Sequence, residues 1–478
     1  MYFFEKIMYN RSKHMMRHCA LCIKLLNNAR RLDMLVGFAE VEFTPERGLM
    51  PGQMEALYAE GTNGGLFANA AAFTNDGESV ILISMDLLSF TPKFAAAVRE
   101  GVSAKTGVPV KNILVCAIHT HTGTQSDEFI WLCPANPEIA QNNINAAIEA
   151  ATLAWERRTE ASVGALRFYN TKYNFCRDWV GEDGNVRTNP GLREHPEYRL
   201  RPAGIADNSV NVMKVTDADG KIRCVLVNYA NHPDCYIGER TKFCADYVGY
   251  LRRALKAEYG QDVIVLFFLG PSGDVNCIDF KNFTHRDYYM RGSGLNAPQL
   301  IGEGLAADII SQDPRTYYKD DNAKIQARHE TIYVEKRYAP IEKVEWAKSV
   351  EDKLDTLTSQ ERAYAINYLY PEDRSVKTVD LEIQTIQIGP WAIVGIPGEV
   401  YSEIGHRIKA ISPYSHTFIC SLANGTRGYI CTDKILDTAA YPAQPSKCNS
   451  CTGKGTADAI VKSAIGMLED MNESAAAK

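Results

Sequence analysis

Residues 113–123 read ILVCAIHTHTG, an apolar run of strand length that ends at His119-Thr120-His121 and turns polar through Gln125. Near-continuous apolar runs of this length mark strands buried on both faces, as in sheets covered by helices. Two residues apart on an extended chain, His119 and His121 leave the same face of the backbone. Neutral imidazole is the commonest metal ligand and a usual general base near neutral pH. A buried strand whose tip points two histidines one way is a candidate metal site. The competing reading is a pair of loop histidines satisfied by local hydrogen bonds.

Working outward, strand and helix signals alternate. Strands are expected at 80–85 (VILISM), 224–229, 263–269 (VIVLFFL), 391–396 and 416–422. Helices are expected at 92–105, 137–158, 245–259, 400–411 and 456–471, the second with Asn136 as cap and Pro137 at its first position. The interval 313–380 is more charged, with a β-like 324–334 and a helical 341–357, and reads as an excursion from the main sheet. The pattern predicts an α/β fold of mixed and parallel sheets flanked by helices.

The 478 residues contain no internal repeat and no Pro/Gly/Ser linker that forces a boundary. Residues 1–33 read as a basic extension and 34–478 as one catalytic domain. A net charge of −6 argues against binding nucleic acid through bulk electrostatics. No window approaches the roughly 18 apolar residues of a membrane span, and the apolar piece 19–23 is too short for a signal sequence. The thirteen cysteines are irregularly spaced, and Cys116, Cys224 and Cys420 lie inside apolar runs where free thiols act as small hydrophobes. The expected compartment is reducing and cytoplasmic. A homo-oligomer is left open.

Three more ligand-type residues repeat the placement of His119. His232 follows one strand in Asn231-His232-Pro233-Asp234, Glu399 follows another in Pro397-Gly398-Glu399, and Tyr429 follows a third after Asn424-Gly425-Thr426-Arg427-Gly428. Carboxyl ends of strands in open α/β sheets form the crevice where ligands bind. Taken singly, a glutamate before a helix is an ordinary dipole partner and His-Pro an ordinary turn.

His119-Thr120-His121-Thr122-Gly123 resembles the HTHSG motif of the neutral/alkaline non-lysosomal ceramidases. The likeness covers about residues 34–445, through Gly65-Leu66-Phe67-Ala68-Asn69-Ala70, Asn231-His232-Pro233, Gly273-Asp274-Val275-Asn276, Pro397-Gly398-Glu399 and Gly428-Tyr429-Ile430. The resemblance implies one catalytic zinc with His119, His232, Glu399 and Tyr429 as ligands. It implies His121 as an active-site acid, base or hydrogen-bond donor, and Arg177 as a substrate contact. Such a ligand set suits zinc at roughly 2.0–2.2 Å, with an open position for a water whose pKa falls toward about 7. The departing amine then needs a proton, from His121 or by relay through Asp234. Tyr429 has a second reading, as an oxyanion stabiliser. Asp86 is expected either to orient a histidine or to cap a turn.

The chain departs from the family at Asn276, where the family's GDVS has a serine. With no GxSxG elbow around Ser272, a covalent serine mechanism is disfavoured, and Asn276 is expected to donate a hydrogen bond to substrate or to a group supporting the site. Neither a secretion signal nor a C-terminal immunoglobulin-like domain is evident. The expected activity is zinc-dependent hydrolysis of an N-acyl bond, on ceramide or on a smaller soluble amide. A silent homologue binding a lipid or metabolite, and a metal-dependent esterase or lactonase, are the alternatives. Two CxxC pairs, Cys19/Cys22 and Cys448/Cys451, raise a joint zinc site, with a reduced loop the preferred reading of the second.

Overall fold

Alternate side chains of the buried strands face different neighbours, and this alternation builds four layers. In the computed structural model, which describes residues 34–476 apart from 53, 55, 56, 191–194, 236–239, 282–295 and 313, the larger sheet has nine strands. Eight form its path: β1 (Leu35–Glu42), β2 (Phe67–Asn75), β3 (Glu78–Met85), β4 (Ile113–Ala117), β5 (Thr159–Tyr169), β6 (Ser209–Asp217), β7 (Ile222–Tyr229) and β8 (Ile264–Leu269). Their order is β8-β7-β6-β5-β1-β2-β3-β4, and the short strand Tyr318–Asp320 pairs β5. Only the outer pairs, β3 with β4 and β7 with β8, are parallel.

Ile81, Ile83 and Met85 of β3 face helices, whereas Val80 and Leu82 face a second sheet. Four helices cover the first face: α1 (Pro92–Thr106), α2 (Pro137–Glu156), α3 (Asp246–Tyr259) and α4 (Ala297–Ile310). As expected, Asn136 caps α2, accepting from the backbone of Glu138 and Ile139 with proline at the first turn.

The second sheet runs β9 (Ile325–Glu335), β10 (Thr378–Ile388), β11 (Trp391–Ile396) and β12 (His416–Ser421), with β11 and β12 parallel. Its inner face meets the first sheet around Trp391, Phe418 and Phe268. Its outer face is covered by α5 (Ser402–Ile411) and α6 (Thr456–Ala476). The result is an α/β fold with mixed sheets flanked by helices, in the layer order helix, sheet, sheet, helix.

Several boundaries differ from the sequence reading. The expected helix 341–357 ends at Ser349, a 3-10 turn spans Glu351–Thr356, and a separate helix runs Ser359–Leu369. The capping box of Thr358 and Glu361 starts that helix and was its available signal. Helix α5 begins two residues late because Glu399–Val400 instead pairs in parallel with Tyr429–Ile430. The extension 1–33, with Cys19 and Cys22, lies outside the described residues.

Candidate metal centre

Strand ends from both sheets converge on one buried cluster. The sheets are stitched there by Asn424, whose backbone N–H donates to Val115 O at 2.7 Å and whose Oδ1 accepts from Val115 N at 3.2 Å. His119 lies two residues past β4 with φ +70, a left-handed conformation costing a non-glycine residue about 1–2 kcal/mol. Its N–H donates to Leu87 O at 2.9 Å, which holds the turn. The two histidines thus do not share a face through extended backbone. The chain turns at His119, and His121 reaches the same cluster from the following turn, its N–H donating to Pro233 O at 3.1 Å.

The second nitrogens fix the tautomers. His119 Nδ1 lies 2.8 Å from Leu88 O and His232 Nδ1 lies 3.2 Å from Ser272 O. A carbonyl only accepts, so each Nδ1 carries a proton, and in the neutral ring each Nε2 presents a lone pair. Those two lone pairs face each other at 3.0 Å, with Glu399 Oε2 3.2 Å from His119 Nε2 and 3.4 Å from His232 Nε2. Burial pushes the His232 imidazole well below its ordinary range, with the Arg177 charge adding to the effect. The Glu399 carboxyl is held low despite burial by His119, Arg177 and Tyr429. With both imidazoles neutral, three acceptors share one point, and Glu399 Oε2 is buried with no hydrogen-bond partner. Buried acceptors in such proximity are stabilised by a cation.

The Tyr429 phenol donates to Glu399 and accepts from Arg177 Nη2 at 2.9 Å. Burial keeps the phenol protonated, well above its ordinary pKa. Arg177, itself buried, is anchored by donation from Nε and Nη2 to Gly273 O at 3.2 and 2.8 Å. The intervening Gly428 has φ +73, and a Cβ there would lie 2.2 Å from Asn449 O, so glycine is required for Tyr429 to reach inward.

His121 forms the rim. Its Nδ1 donates to Gly52 O and lies 3.8 Å from Asp234 Oδ2, while Nε2 is buried without a partner. Burial lowers its pKa to about 4, against an opposing pull from Asp234. One donor nitrogen from each of His119, His121 and His232 falls within 4.8 Å of the others.

Other expectations meet a different structure. Asp86 touches no histidine: Arg252 Nη1 and Nη2 donate to its two oxygens at 2.5 and 2.6 Å, and Phe67 N donates at 2.9 Å. The histidines are oriented by backbone carbonyls instead. The Asn276 amide donates to Asn189 Oδ1 at 2.8 Å and is not part of the cluster. Ser272 contributes only its carbonyl, its hydroxyl being fully buried. Cys448 and Cys451 are free thiols donating to Phe129 O and Arg427 O.

Two cavities flank the cluster. One of 230 Å³ runs past Glu399 to Arg427 and Lys447, and one of 770 Å³ runs past His232 to Arg187 and Gln360. They meet at Gly52, His121, Trp131, Tyr429 and Tyr441, and Arg177 and Asn189 line the larger.

Neither a family model nor a curated protein matches the sequence. Among solved structures, a neutral ceramidase from Pseudomonas aeruginosa superposes with a TM-score of 0.66 at 15% identity, over 92% of this chain and 75% of that one. A ceramidase complexed with C2 gives a TM-score of 0.66 at 14% identity, over 92% and 76%. At such identities the likeness is one of architecture, and the chain has a ceramidase-like fold.

Proposed function

We propose that this chain is a metal-dependent amidohydrolase that cleaves an N-acyl bond, a distant relative of the neutral ceramidases with residues 34–478 as one catalytic unit. The observation that carries this reading is the convergence of His119 Nε2, His232 Nε2 and Glu399 Oε2 at 3.0–3.4 Å, with Glu399 Oε2 buried and without a hydrogen-bond partner. These three would hold the ion, and Tyr429 would complete the set. Two imidazoles, a carboxylate and a phenol favour zinc. When bound, such an ion activates water and polarises the scissile carbonyl.

The chain's own groups supply the rest. His121 Nε2, unprotonated and without a partner, takes a proton from the attacking water and returns it to the departing nitrogen. Arg177 fixes the Tyr429 hydroxyl beside Glu399. Asn276 acts indirectly, through Asn189 in the wall of the larger cavity. The eleven free cysteines among the described residues fit a reducing, cytoplasmic setting, and no described helix is long and apolar enough to cross a membrane.

Metal analysis tests the reading. About one zinc per chain, loss of N-acyl amide hydrolysis with chelator and recovery with zinc are expected; a zinc-supplemented protein that binds no metal refutes it. His119→Ala should lose both metal and turnover. His121→Ala should keep the metal and lose turnover; loss of metal there would favour a three-histidine set in which His121 replaces Tyr429.

A further inference from the structure

The smaller cavity has two unlike linings. Leu88, Ile130 and Trp131 form a buried apolar cluster. Lys336, Arg427 and Lys447 reach the same cavity from three distant segments, and Glu128 and Glu372 also line it.

These cations are only partly satisfied by the protein. Lys447 Nζ makes one hydrogen bond, to Glu128 Oε1 at 3.3 Å. Lys336 Nζ pairs with Glu372 Oε1 at 3.6 Å, beyond hydrogen-bond reach, and lies 4.5 Å over the Tyr338 ring, as Lys447 Nζ lies 5.3 Å over the Tyr370 ring. An ammonium has three donors to place. Arg427 is anchored through Nε and Nη2 on Asp380 O and Oδ1 at 3.1 and 2.7 Å, which leaves Nη1. All three side chains are less than a third exposed, at 20%, 24% and 28% for Lys336, Arg427 and Lys447.

A hydrocarbon tail laid against these three ion pairs strips their remaining water and supplies no hydrogen bond in its place. A carboxylate replaces that water with charge-assisted hydrogen bonds. The 230 Å³ volume is also below the roughly 300–1,000 Å³ of pockets for drug-sized ligands.

Building on the amidohydrolase reading, we infer that the substrate is a short N-acyl amide bearing a carboxylate, which Lys336, Arg427 and Lys447 bind in the smaller cavity. The uncharged part of that group lies along Leu88, Ile130 and Trp131, and the acid end meets the cations. Selection against a long hydrocarbon chain on the side of the amide that enters this cavity follows from the same ion pairs.

The test compares amides on the zinc-loaded full chain. N-succinyl benzylamine carries the acid on the acyl side, and N-acetyl glutamate carries it on the amine side. N-acetyl benzylamine is the neutral control and N-dodecanoyl benzylamine the lipid-like one. At least one acidic substrate should exceed the neutral control tenfold or more in kcat/KM, and the better of the two identifies the side that enters this cavity. In the double variant Lys336→Gln/Lys447→Gln that preference should fall at least tenfold, through KM. Preference for the dodecanoyl amide, or an acid preference unchanged in the variant, overturns the inference while leaving the hydrolase intact. Cleavage of no amide at all overturns both.

Discussion

Adjacent parallel strands β3 and β4 each end in buried polar groups, and the two endings are opposites. One residue past β3, Asp86 meets Arg252 in a two-pronged pair at 2.5 and 2.6 Å and takes a third bond from Phe67 N. Both carboxylate oxygens meet donors, and only Arg252 Nε is left without a partner. Two residues past β4, His119 meets His232 and Glu399 acceptor to acceptor. Burial and polarity alone do not separate a structural cluster from a ligand site; the balance of donors against acceptors does. By that measure the carboxylate at the β3 ending is matched, and the β4 ending calls for a cation.

The sharpest way to break this contrast is to change one acceptor into a donor. In His232→Gln the amide can donate to Glu399, which relieves the facing lone pairs. Metal-free variant should therefore be at least as stable as metal-free wild type. Added zinc should raise the Tm of wild type but not of the variant, and turnover should fall by about 10³-fold or more with the metal gone. Calorimetry with and without zinc decides it: a metal-free variant several kcal/mol less stable would show that the cluster is complete on its own.

The β3 ending should respond in the opposite sense. Asp86→Asn leaves the Arg252 charge buried and half-paired, and breaking such a pair costs about 3–5 kcal/mol. The loss should be similar with and without zinc, because the pair does not touch the cluster. Denaturant melts of both forms measure it. A zinc-dependent loss would mean that Asp86 supports the metal ligands after all.

The same contrast explains what the sequence discloses and what it hides. Strands such as Ile264–Leu269 are legible because burial on both faces makes them continuously apolar. Strands β1 and β2 are not, because α2 packs so closely that the facing positions must be small. Ala70 and Ala72 are fully buried, and a Cβ on Gly37 would lie 2.0 Å from Ala154 O. Alanine and glycine carry little β-propensity, so packing overrides the local signal. His119, His232, Glu399 and Tyr429 can be proposed from sequence because each follows a readable strand or its loop. Arg252, 166 residues from Asp86, and the cations at 336, 427 and 447 cannot, since only the tertiary fold brings them to their partners.

The smallest effect concerns His121, the rim of the unbalanced cluster. Its imidazole titrates near 6.5 when unfolded and about 4 when folded, chiefly through burial. The unfolded chain therefore takes up a proton first as pH falls, so stability is lost progressively from pH 6.5 down to about 4 and is constant above. Between pH 7 and 4.5 this one group removes up to about 3 kcal/mol at 1.36 kcal/mol per unit. His121→Asn should make the metal-free protein correspondingly less acid-sensitive over that window. His232, whose pKa burial also lowers, contributes to the residual acid loss. Asp234→Asn acts in the other direction: Asp234 favours the imidazolium, so its removal lowers the folded pKa and extends the acid loss below pH 4. Denaturation free energies at closely spaced pH values separate the three proteins. Identical acid slopes in all of them would mean that His121 is solvated, and its Nε2 would then be no reserved proton acceptor beside the cluster.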